Sequence, residues 1–481
     1  MTMQAEPTRT ELLGQHPTAV PGAERITGVD AMFLHAERPD TPFHTLKVLV
    51  LDPGYRGRPL SLHEIDSILP DYLGLVPRAV QRVVSGPGFE GRPFWVDDDT
   101  FAVGNHLDER YLRAPGGRDE LDRLCAELAT ERLERDRPLW ALTLVHGLAG
   151  GRQAIVVRAH HAIMDGVAAL NTFLAATTRE PGTAIATLPA LTTPAVTPEA
   201  LQRAAERARG ATARQLVDFT RALSRSRRAA RAFGPLPEVP RGLTWRSSLN
   251  APSAGTRVCA SANLDLDGVK KVAKATGVTL NGALHAVLTE ALREELQERG
   301  EKLDRPLIAI FGVAEDRSST RTQGNGIATA RAYLRVDLPS AADRFHATAR
   351  SCLLAVELRR RRGFEFSKVA ADLTGRLMPR VRAGVARVTP RVLNHITTAN
   401  VPGPDHLRWL GDVPVVEWIS FAVAVAPADV NFTAYTYAGR FTIGLVATPE
   451  SMPDPKRFLA RLEPALARLL ASVGDPAVQG A

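Results

Sequence analysis

The chain is poor in cysteine and aromatic residues, and it has no long apolar run. Its 481 residues include only three cysteines, Cys125, Cys259 and Cys352, which are far apart and lack the spacing of a metal site. A disulfide framework is therefore not expected, and a reducing cytoplasm suits the composition. No run approaches the roughly 18 apolar residues that span a membrane. The N-terminus also lacks the basic start and apolar core of a secretory signal, so we expect a cytoplasmic globular protein.

Negative charge is the scarcer sign: 52 acidic residues face 60 lysines and arginines, which gives a formal charge of +8. A basic surface can meet nucleic acid, anionic lipid or an anionic cofactor, and charge alone does not choose among them. Much of the excess lies in residues 201–233, where the pattern is helical but the apolar face is narrow. This pattern predicts a solvated helix between two lobes, with contact to an anionic membrane as the alternative. Aromatic residues are not interleaved with the basic ones, so nucleic-acid binding is not expected.

The order of predicted elements is mixed, with hairpins and long helices in both halves of the chain. This order favours an α+β fold of two sandwich lobes over a regular βαβ alternation. We predict a flexible tail over residues 1–24 and an N-terminal lobe over 25–180. A linker with the basic helical connector follows over 181–254, and a C-terminal lobe occupies 255–481.

The stretch "RAHHAIMDGVAAL" places two histidines at a strand-to-helix junction. Before it, "WALTLVHGLAGGRQAIVVRA" predicts two strands joined by a glycine-rich turn, and after it the spacing becomes helical. A neutral imidazole can take a proton from a hydroxyl group and return it to a leaving group. His161, nearer the turn, is the candidate base. His160 points to the other face of the strand and is expected to pack or to form a hydrogen bond.

Other interpretations of this stretch stay open on the residues alone. Asp165 can cap the following helix or pair with a distant cation, and Gly166 gives the turn room. Both histidines can be buried with satisfied hydrogen bonds. His161 and Asp165 have a spacing compatible with a metal site, but no third ligand lies nearby in the sequence. The chain has no G-x-S-x-G, no P-loop and no G-x-G-x-x-G between a strand and a helix, which disfavours hydrolase and nucleotide chemistry.

The pattern H-H-x-x-x-D-G resembles the signature of acyl-CoA-dependent acyltransferases related to chloramphenicol acetyltransferase and to condensation domains. Further blocks resemble the bacterial wax ester synthase/diacylglycerol acyltransferase family. These blocks are "DAMFLHAERPDTPFH", "FWVDDDTFAVGNHL", Pro138-Leu139-Trp140, Arg317 with Gly324-Asn325, "NVPGP" from Asn400, and "TAYTYAGRFTIGLVATPESMPDPKRF". They run in order over nearly the whole chain.

This resemblance implies two chloramphenicol-acetyltransferase-like α/β sandwich lobes with a tunnel and the active site between them. It implies acyl-CoA as co-substrate, a long-chain alcohol or diacylglycerol as acceptor, and no metal or other cofactor. His161 would be the base, and Asp165 would be structural with Arg317 as its ion-pair partner. The implied substrate-side residues are Pro138, Leu139, Trp140, Asn281, Asn400, Val401 and Pro402.

The same resemblance extends to location and assembly, and it has exceptions. It is compatible with peripheral association with the membrane or lipid inclusions and with a monomer or homodimer. The family usually has Asn-Asp where this chain has Asn281-Gly282, and Ser where it has Ala399. A lost hydroxyl at Ala399 could remove a polar contact in the site, for which Thr397 or Thr398 could substitute. These departures keep open a specialised acceptor or a non-catalytic lipid-binding role.

Overall fold

The computed structural model describes residues 20–473 apart from 87–91, 186–187, 189–194, 210–211, 316–317, 373–392 and 425–427. The strands, numbered in chain order, are β1 Ala23–Arg25, β2 His44–Leu51, β3 Gln81–Val84, β4 Phe94–Asp97, β5 Leu107–Tyr111, β6 Trp140–Leu148, β7 Arg152–His160, β8 Val258–Leu264, β9 Leu307–Ala314, β10 Ile327–Leu334, β11 Ile396–Pro402, β12 Arg408–Leu410, β13 Val413–Phe421, β14 Asn431–Tyr437 and β15 Arg440–Ala447. The α-helices are α1 Gly28–Ala36, α2 Leu62–Ile68, α3 Arg118–Thr130, α4 Gly166–Ala175, α5 Pro198–Arg209, α6 Thr212–Ala232, α7 Leu266–Thr276, α8 Leu280–Glu298, α9 Ala341–Arg362, α10 Pro455–Leu459 and α11 Leu462–Val473.

Each lobe of the described chain is built on one six-stranded sheet. The N-terminal sheet has the order β12-β13-β2-β7-β6-β5, and the C-terminal sheet has the order β10-β9-β11-β14-β15-β8. Helices α7, α8 and α11 bury their apolar faces against the C-terminal sheet, and α3 packs on the N-terminal sheet and on β8. A smaller sheet has the order β1-β4-β3. The predicted α+β class with two lobes is confirmed.

The hairpin that carries the histidines forms as the sequence predicts. β6 and β7 pair antiparallel, with Val145 opposite Ala154 and Trp140 opposite Ala159. The connecting turn contains Gly150 with φ 75° and Gly151 with φ 72°. Only glycine adopts this left-handed backbone at low cost, so the glycine-rich turn fixes where β7 begins and therefore where it ends.

The predicted C-terminal lobe needs one correction, because residues 408–421 belong to the N-terminal sheet. β13 pairs antiparallel with β2, so that Trp418 lies opposite Leu49 and Phe421 lies opposite Leu46. β13 also contacts β14 and β15 of the C-terminal sheet. A Cβ atom on Gly444 would lie 2.2 Å from the carbonyl oxygen of Ser420, so glycine is needed for this approach. Local pattern predicts a strand here but cannot identify its partner, which is hundreds of residues away in the chain.

Parts of the predicted tail over 1–24 and of the predicted connector over 181–254 form regular secondary structure. Residues 1–19 lie outside the described part, but β1 already pairs with β4 from Ala23 onward. The helical pattern of 201–233 is confirmed by α5 and α6. On α5, Leu201 and Ala204 are buried with Phe94 of β4. Contact of this segment with a membrane stays a prediction, and no helix in the described ranges is long and apolar enough to cross a bilayer.

Burial of several ionisable side chains makes the fold sensitive to acid. Desolvation is the largest cause that lowers the pKa of His44 to about 3 and the pKa values of His285 and His395 to about 4. These imidazoles therefore bind protons more readily in the unfolded chain than in the folded one. Desolvation acts in the opposite sense on Asp122 and Asp429, whose pKa values it raises to about 6.

We expect the free energy of unfolding to fall as the pH is lowered from about 6.5, the ordinary pKa of histidine, toward about 4. Above this window the histidines are neutral in both states and contribute nothing. The raised pKa values of Asp122 and Asp429 act against this loss of stability between about pH 6.5 and pH 4, but the buried histidines outnumber these two acids. Urea denaturation midpoints at stepped pH values measure the slope, and His63→Gln at an exposed position should leave it unchanged. A midpoint that is constant or that rises toward acid pH would contradict this expectation.

Candidate active site

Backbone hydrogen bonds hold the histidine pair at the end of β7. The N–H of His160 donates to the carbonyl of Leu139 at 3.0 Å, and the N–H of His161 donates to the carbonyl of Phe43 at 2.8 Å. Strand alternation sends the two imidazoles to opposite faces of the sheet. His160 is 0% exposed, whereas His161 is half-buried. The pair therefore divides into an enclosed residue and one that is partly exposed.

His160 holds the turn. Its Nδ1 accepts a hydrogen bond from the N–H of Ala162 at 3.0 Å, so the ring proton is on Nε2. Nε2 lies 3.8 Å from Oε1 of Glu37, which is itself paired with Arg135. Burial, followed by the charge of Arg135, places the pKa of His160 well below its ordinary value. Because its lone pair is occupied by the backbone, His160 has no free nitrogen to accept a substrate proton.

Asn325 determines which nitrogen of His161 carries the proton. Its Nδ2 donates to the carbonyl of His161 at 2.8 Å and to Oδ1 of Asp30 at 2.7 Å. Two acceptors around Nδ2 fix the orientation of the amide, so Oδ1 is the atom that faces His161 Nδ1 at 3.1 Å. His161 Nδ1 therefore donates this bond. The lone pair is left on Nε2, as a general base requires.

The surroundings of His161 keep its imidazole neutral. The ring of Phe33 lies 4.4 Å from the imidazole, centroid to centroid. Burial is the largest cause that lowers the pKa of His161, and the charge of Lys47 also lowers it. Asp165 and Asn325 act in the opposite sense without reversing the shift. A lowered pKa means that the base form is present at neutral pH.

Asp165 both caps α4 and forms an ion pair between the two lobes. Its Oδ1 accepts hydrogen bonds from the N–H groups of Val167 and Ala168 at 3.0 and 2.9 Å. Arg321 Nη2 lies 3.0 Å from each carboxylate oxygen, and the N–H of Gly326 donates to Oδ2 at 2.8 Å. Arg317, the partner that the resemblance implies, lies outside the described residues. The structure gives the pair with Asp165 to Arg321, four positions further along the chain.

Two more side chains of the site were not singled out from the sequence, Arg78 and Asp30. Arg78 Nη1 donates to the carbonyl of Ala162 at 3.1 Å and to Oδ2 of Asp30 at 3.0 Å. Both are almost fully buried, which makes this ion pair part of the turn. Asp30 and Asn325 lie in blocks that carry the family resemblance, but the sequence did not indicate what either side chain does. Nothing local in the sequence distinguishes Arg78 from other arginines.

The block Pro138-Leu139-Trp140 lies in the core beside the junction. All three residues are buried. Trp140 Nε1 donates to the carbonyl of Ala79 at 2.7 Å, and its ring stacks on His106 at 4.4 Å. These contacts support β6 and the turn, and no hydrogen bond of this block reaches the ring of His161.

The other predicted substrate-side residues fall into two places. Val401 lies at the junction: a Cβ atom on Gly166 would be 3.1 Å from its Cγ2. Asn400 and Pro402 flank it on β11, and Pro402 is exposed. Asn281 is instead in the first turn of α8, where its carbonyl accepts a hydrogen bond from a histidine of the same helix. Asn281 therefore belongs to a network within the C-terminal lobe.

Local contacts are visible around the two positions that depart from the family pattern, Ala399 and Gly282. The hydroxyl of Thr398 is 2.8 Å from His285 Nε2, and that of Thr397 accepts a hydrogen bond from Asn394 at 3.2 Å. Both hydroxyls beside Ala399 thus have partners in their own lobe. A Cβ atom on Gly282 would lie 3.3 Å from the Cβ of Ala349, so glycine relieves a tight contact between α8 and α9. Over the described ranges no group of three or more His, Cys, Asp or Glu residues is arranged to hold a metal ion.

The two lobes meet at the turn that carries His160, His161 and Asp165. The model of the wax ester synthase/diacylglycerol acyltransferase catalytic domain matches residues 26–284, and the model of the C-terminal domain of the same family matches residues 323–470. The chain belongs to the wax ester synthase/diacylglycerol acyltransferase family.

Relatives and solved structures agree with this assignment. A Mycobacterium tuberculosis protein that is provisionally named a diacylglycerol O-acyltransferase is 30% identical over 449 residues, which cover 91% of this chain and 94% of the relative. Another from the same organism is 27% identical over 472 residues, covering 93% and 97%. The wax ester synthase/diacylglycerol acyltransferase of Marinobacter aquaeolei has a TM-score of 0.66 at 20% identity, covering 94% of this chain and all of that one. The starter condensation domain of rhizomide synthetase, solved with C8-CoA, has a TM-score of 0.55 at 14% identity, covering 94% and 95%.

Replacing Arg321 should destabilise the junction. Arg321→Met leaves the Asp165 carboxylate, whose side chain is 0% exposed, without its counter-charge. We expect a loss of about 3 kcal/mol in the free energy of unfolding, measured by urea denaturation. Arg317→Met is the matched control and should cost less. An equal or larger loss at Arg317 would contradict the pairing described here.

Replacing Asn325 should change the pH dependence of the reaction in a way that depends on the substituent. Asn325→Asp places a carboxylate beside Nδ1 and stabilises the imidazolium, so the acid limb of the kcat/KM profile should move to higher pH. Asn325→Leu removes the acceptor for Nδ1–H and should lower kcat by about tenfold or more without this upward movement. Initial rates of CoA release across pH measure both effects. Identical profiles in the two variants would contradict the tautomer assignment.

Proposed function

We propose that the protein transfers a fatty acyl group from acyl-CoA to the hydroxyl group of a long-chain alcohol or diacylglycerol, with His161 as the general base. The products are a wax ester or triacylglycerol together with free CoA. The observation that carries the proposal is the unoccupied Nε2 of His161, which Asn325 and the end of β7 hold in a fixed orientation.

One imidazole is sufficient for the complete reaction. Nε2 of His161 takes the proton of the acceptor hydroxyl, and the resulting alkoxide oxygen attacks the thioester carbonyl carbon. The tetrahedral intermediate collapses with cleavage of the carbon–sulfur bond. The imidazolium then protonates the CoA thiolate, which restores the neutral base. Acyl-CoA enters as co-substrate, and the proton balance closes on His161.

The relatives and the fold support the choice of substrates. Acyl-CoA as donor is supported by the fold shared with a condensation domain that was solved with C8-CoA. The names of the Marinobacter and Mycobacterium proteins support an alcohol or diacylglycerol acceptor. Apolar and aromatic side chains from both lobes meet in one buried cluster near the junction, including Val401, Trp418, Tyr435 and Tyr437. The interface of the lobes near His161 is therefore predominantly apolar, as expected beside a site for hydrocarbon chains.

The alternatives are a specialised acceptor and a lipid-binding protein without turnover. The second is disfavoured by the arrangement around His161, since a protein that only binds lipid has no need of a neutral imidazole with an oriented lone pair. The first concerns the acceptor alone and leaves the chemistry of His161 unchanged.

We expect His161→Ala to abolish acceptor-dependent CoA release. The assay uses palmitoyl-CoA with hexadecanol and, separately, with dipalmitoylglycerol, and follows free thiol. Removing a general base should lower the rate by about a hundredfold or more. His63→Ala, at an exposed position, is the matched control. Urea denaturation should show that the His161→Ala variant is folded. If CoA release then survives in this variant, another group is the base.

A further inference from the structure

A buried carboxylate is hydrogen-bonded to the asparagine that contacts the proposed base. Asp30 is on α1, and its side chain is 1% exposed. Its Oδ1 accepts a hydrogen bond from Nδ2 of Asn325 at 2.7 Å, and its Oδ2 accepts one from Nη1 of Arg78 at 3.0 Å. Oδ1 of Asn325 lies 3.1 Å from Nδ1 of His161. Four side chains, Arg78, Asp30, Asn325 and His161, therefore form one continuous series of hydrogen bonds.

Arg78 sits at a fixed place in this series and can only donate. Its Nη1 also donates to the carbonyls of Ala162 and Ile163 at 3.1 and 3.4 Å. Its guanidinium lies 5.2 Å from the ring centroid of Trp95, and the side chain is almost fully buried. A guanidinium has no acceptor atom. The residue at position 30 must therefore present an oxygen to Arg78.

A carboxylate at position 30 decides the orientation of Asn325. Both oxygens of an ionised Asp30 accept hydrogen bonds, so one serves Arg78 and the other faces Asn325. Asn325 can answer this oxygen only with its NH2 group. Its own amide oxygen is then turned towards Nδ1 of His161, which must carry the proton. The lone pair of the imidazole is left on Nε2.

The backbone supports the same orientation, but with a weaker interaction. The carbonyl of His161 also accepts a hydrogen bond from Nδ2 of Asn325, at 2.8 Å. A reversed amide would bring its oxygen against both this carbonyl and the carboxylate of Asp30. Hydrogen bonds to an ionised acceptor are roughly twice as strong as those between neutral groups. Asp30 therefore supplies the larger share of the preference.

We propose that Asp30, held by Arg78, is a positioning residue for the acyl transfer: it orients the amide of Asn325 and so selects the tautomer of His161 that can act as the base. Asp30 acts through Asn325 and not on the substrate. The inference rests on the proposed function, because the tautomer affects the rate only where His161 is the base. In the serine protease triad, replacing the orienting carboxylate by its amide leaves the geometry intact and lowers kcat about 10⁴-fold.

The isosteric variant Asp30→Asn tests the proposal directly. Arg78 attracts the oxygen of the new amide, so the new NH2 group faces Asn325. A donor then meets a donor, the orientation of Asn325 loses its preference, and the Nε2–H tautomer of His161 becomes populated. We expect kcat to fall by about tenfold or more with KM unchanged. Asp66→Asn, at an exposed position, is the matched control.

Nuclear magnetic resonance of the imidazole nitrogens reports the tautomer without any substrate. In protein labelled at histidine, the signals of His161 are identified by their loss in His161→Ala. We expect only the Nδ1–H form in the wild type and in Asp66→Asn, and both forms in Asp30→Asn. A folded Asp30→Asn protein with the wild-type tautomer would overturn the proposal, and so would a wild type with the proton on Nε2.

Two double variants keep the test decisive if Asp30→Asn does not fold. Only Glu24, at 3.3 Å from Nη2 and partly exposed, then remains as an acidic partner of Arg78. Arg78→Met/Asp30→Asn and Arg78→Met/Asp30→Leu both replace the buried ion pair by neutral groups, a change that proteins often tolerate. They differ in whether position 30 can offer an oxygen to Asn325.

We expect Arg78→Met/Asp30→Asn to keep the Nδ1–H form, because the amide at position 30 is free to turn its oxygen to Asn325 once Arg78 is gone. Arg78→Met/Asp30→Leu should show both tautomers and a kcat lower by about fivefold or more. Equal tautomers and equal kcat values in the two double variants would overturn the proposal.

The tautomer and the reaction are measured separately, so their failures can be told apart. Tautomers that respond to Asp30 as expected support the positioning role even where no acceptor is acylated, in which case the proposed reaction fails instead. Acylation at the wild-type kcat in Asp30→Asn, with an unchanged tautomer, sustains the reaction and rejects the role of Asp30.

Discussion

The buried carboxylate of Asp165 is the constraint on which the rest of the site depends. It accepts hydrogen bonds from the first turn of α4, from the guanidinium of Arg321 and from the backbone of Gly326. An unpaired carboxylate at this depth would cost several kcal/mol, so the segment that carries Arg321 must stay against the end of β7. One ionised side chain thereby joins the two lobes at the point where the histidines emerge.

Joining the lobes here has a chemical consequence for His161. The segment that brings Arg321 also brings Asn325, whose amide oxygen accepts a hydrogen bond from Nδ1–H of His161 and leaves Nε2 as the nitrogen with the lone pair. His160, one residue earlier, has its lone pair occupied by the backbone of Ala162. The same turn thus makes one imidazole structural and the other basic. Burial lowers the pKa of both histidines, so the difference between their roles arises from their hydrogen-bond partners.

The strand exchange at β13 connects the two sheets near the junction. β13 comes from the C-terminal half of the chain but pairs with β2 of the N-terminal sheet. This pairing places Ser420 of β13 beside Lys47 of β2, and the Lys47 ammonium lies over the ring of Tyr435 in the other sheet. A polar, cationic point is thereby built into an otherwise apolar interface.

The local elements and the family follow from the sequence alone. The alternation of β7, the glycine turn before it and the helical spacing after Asp165 all follow from short-range backbone preferences, which is why the junction and His161 could be predicted from the residues. Three features became visible only in the folded chain: Arg321 pairs with Asp165, Asn325 orients His161, and residues 408–421 complete the N-terminal sheet. Those choices depend on which distant segments meet. Arg317 and Arg321 are four positions apart and carry the same charge, so the local sequence does not distinguish them, and the structure pairs Arg321 with Asp165.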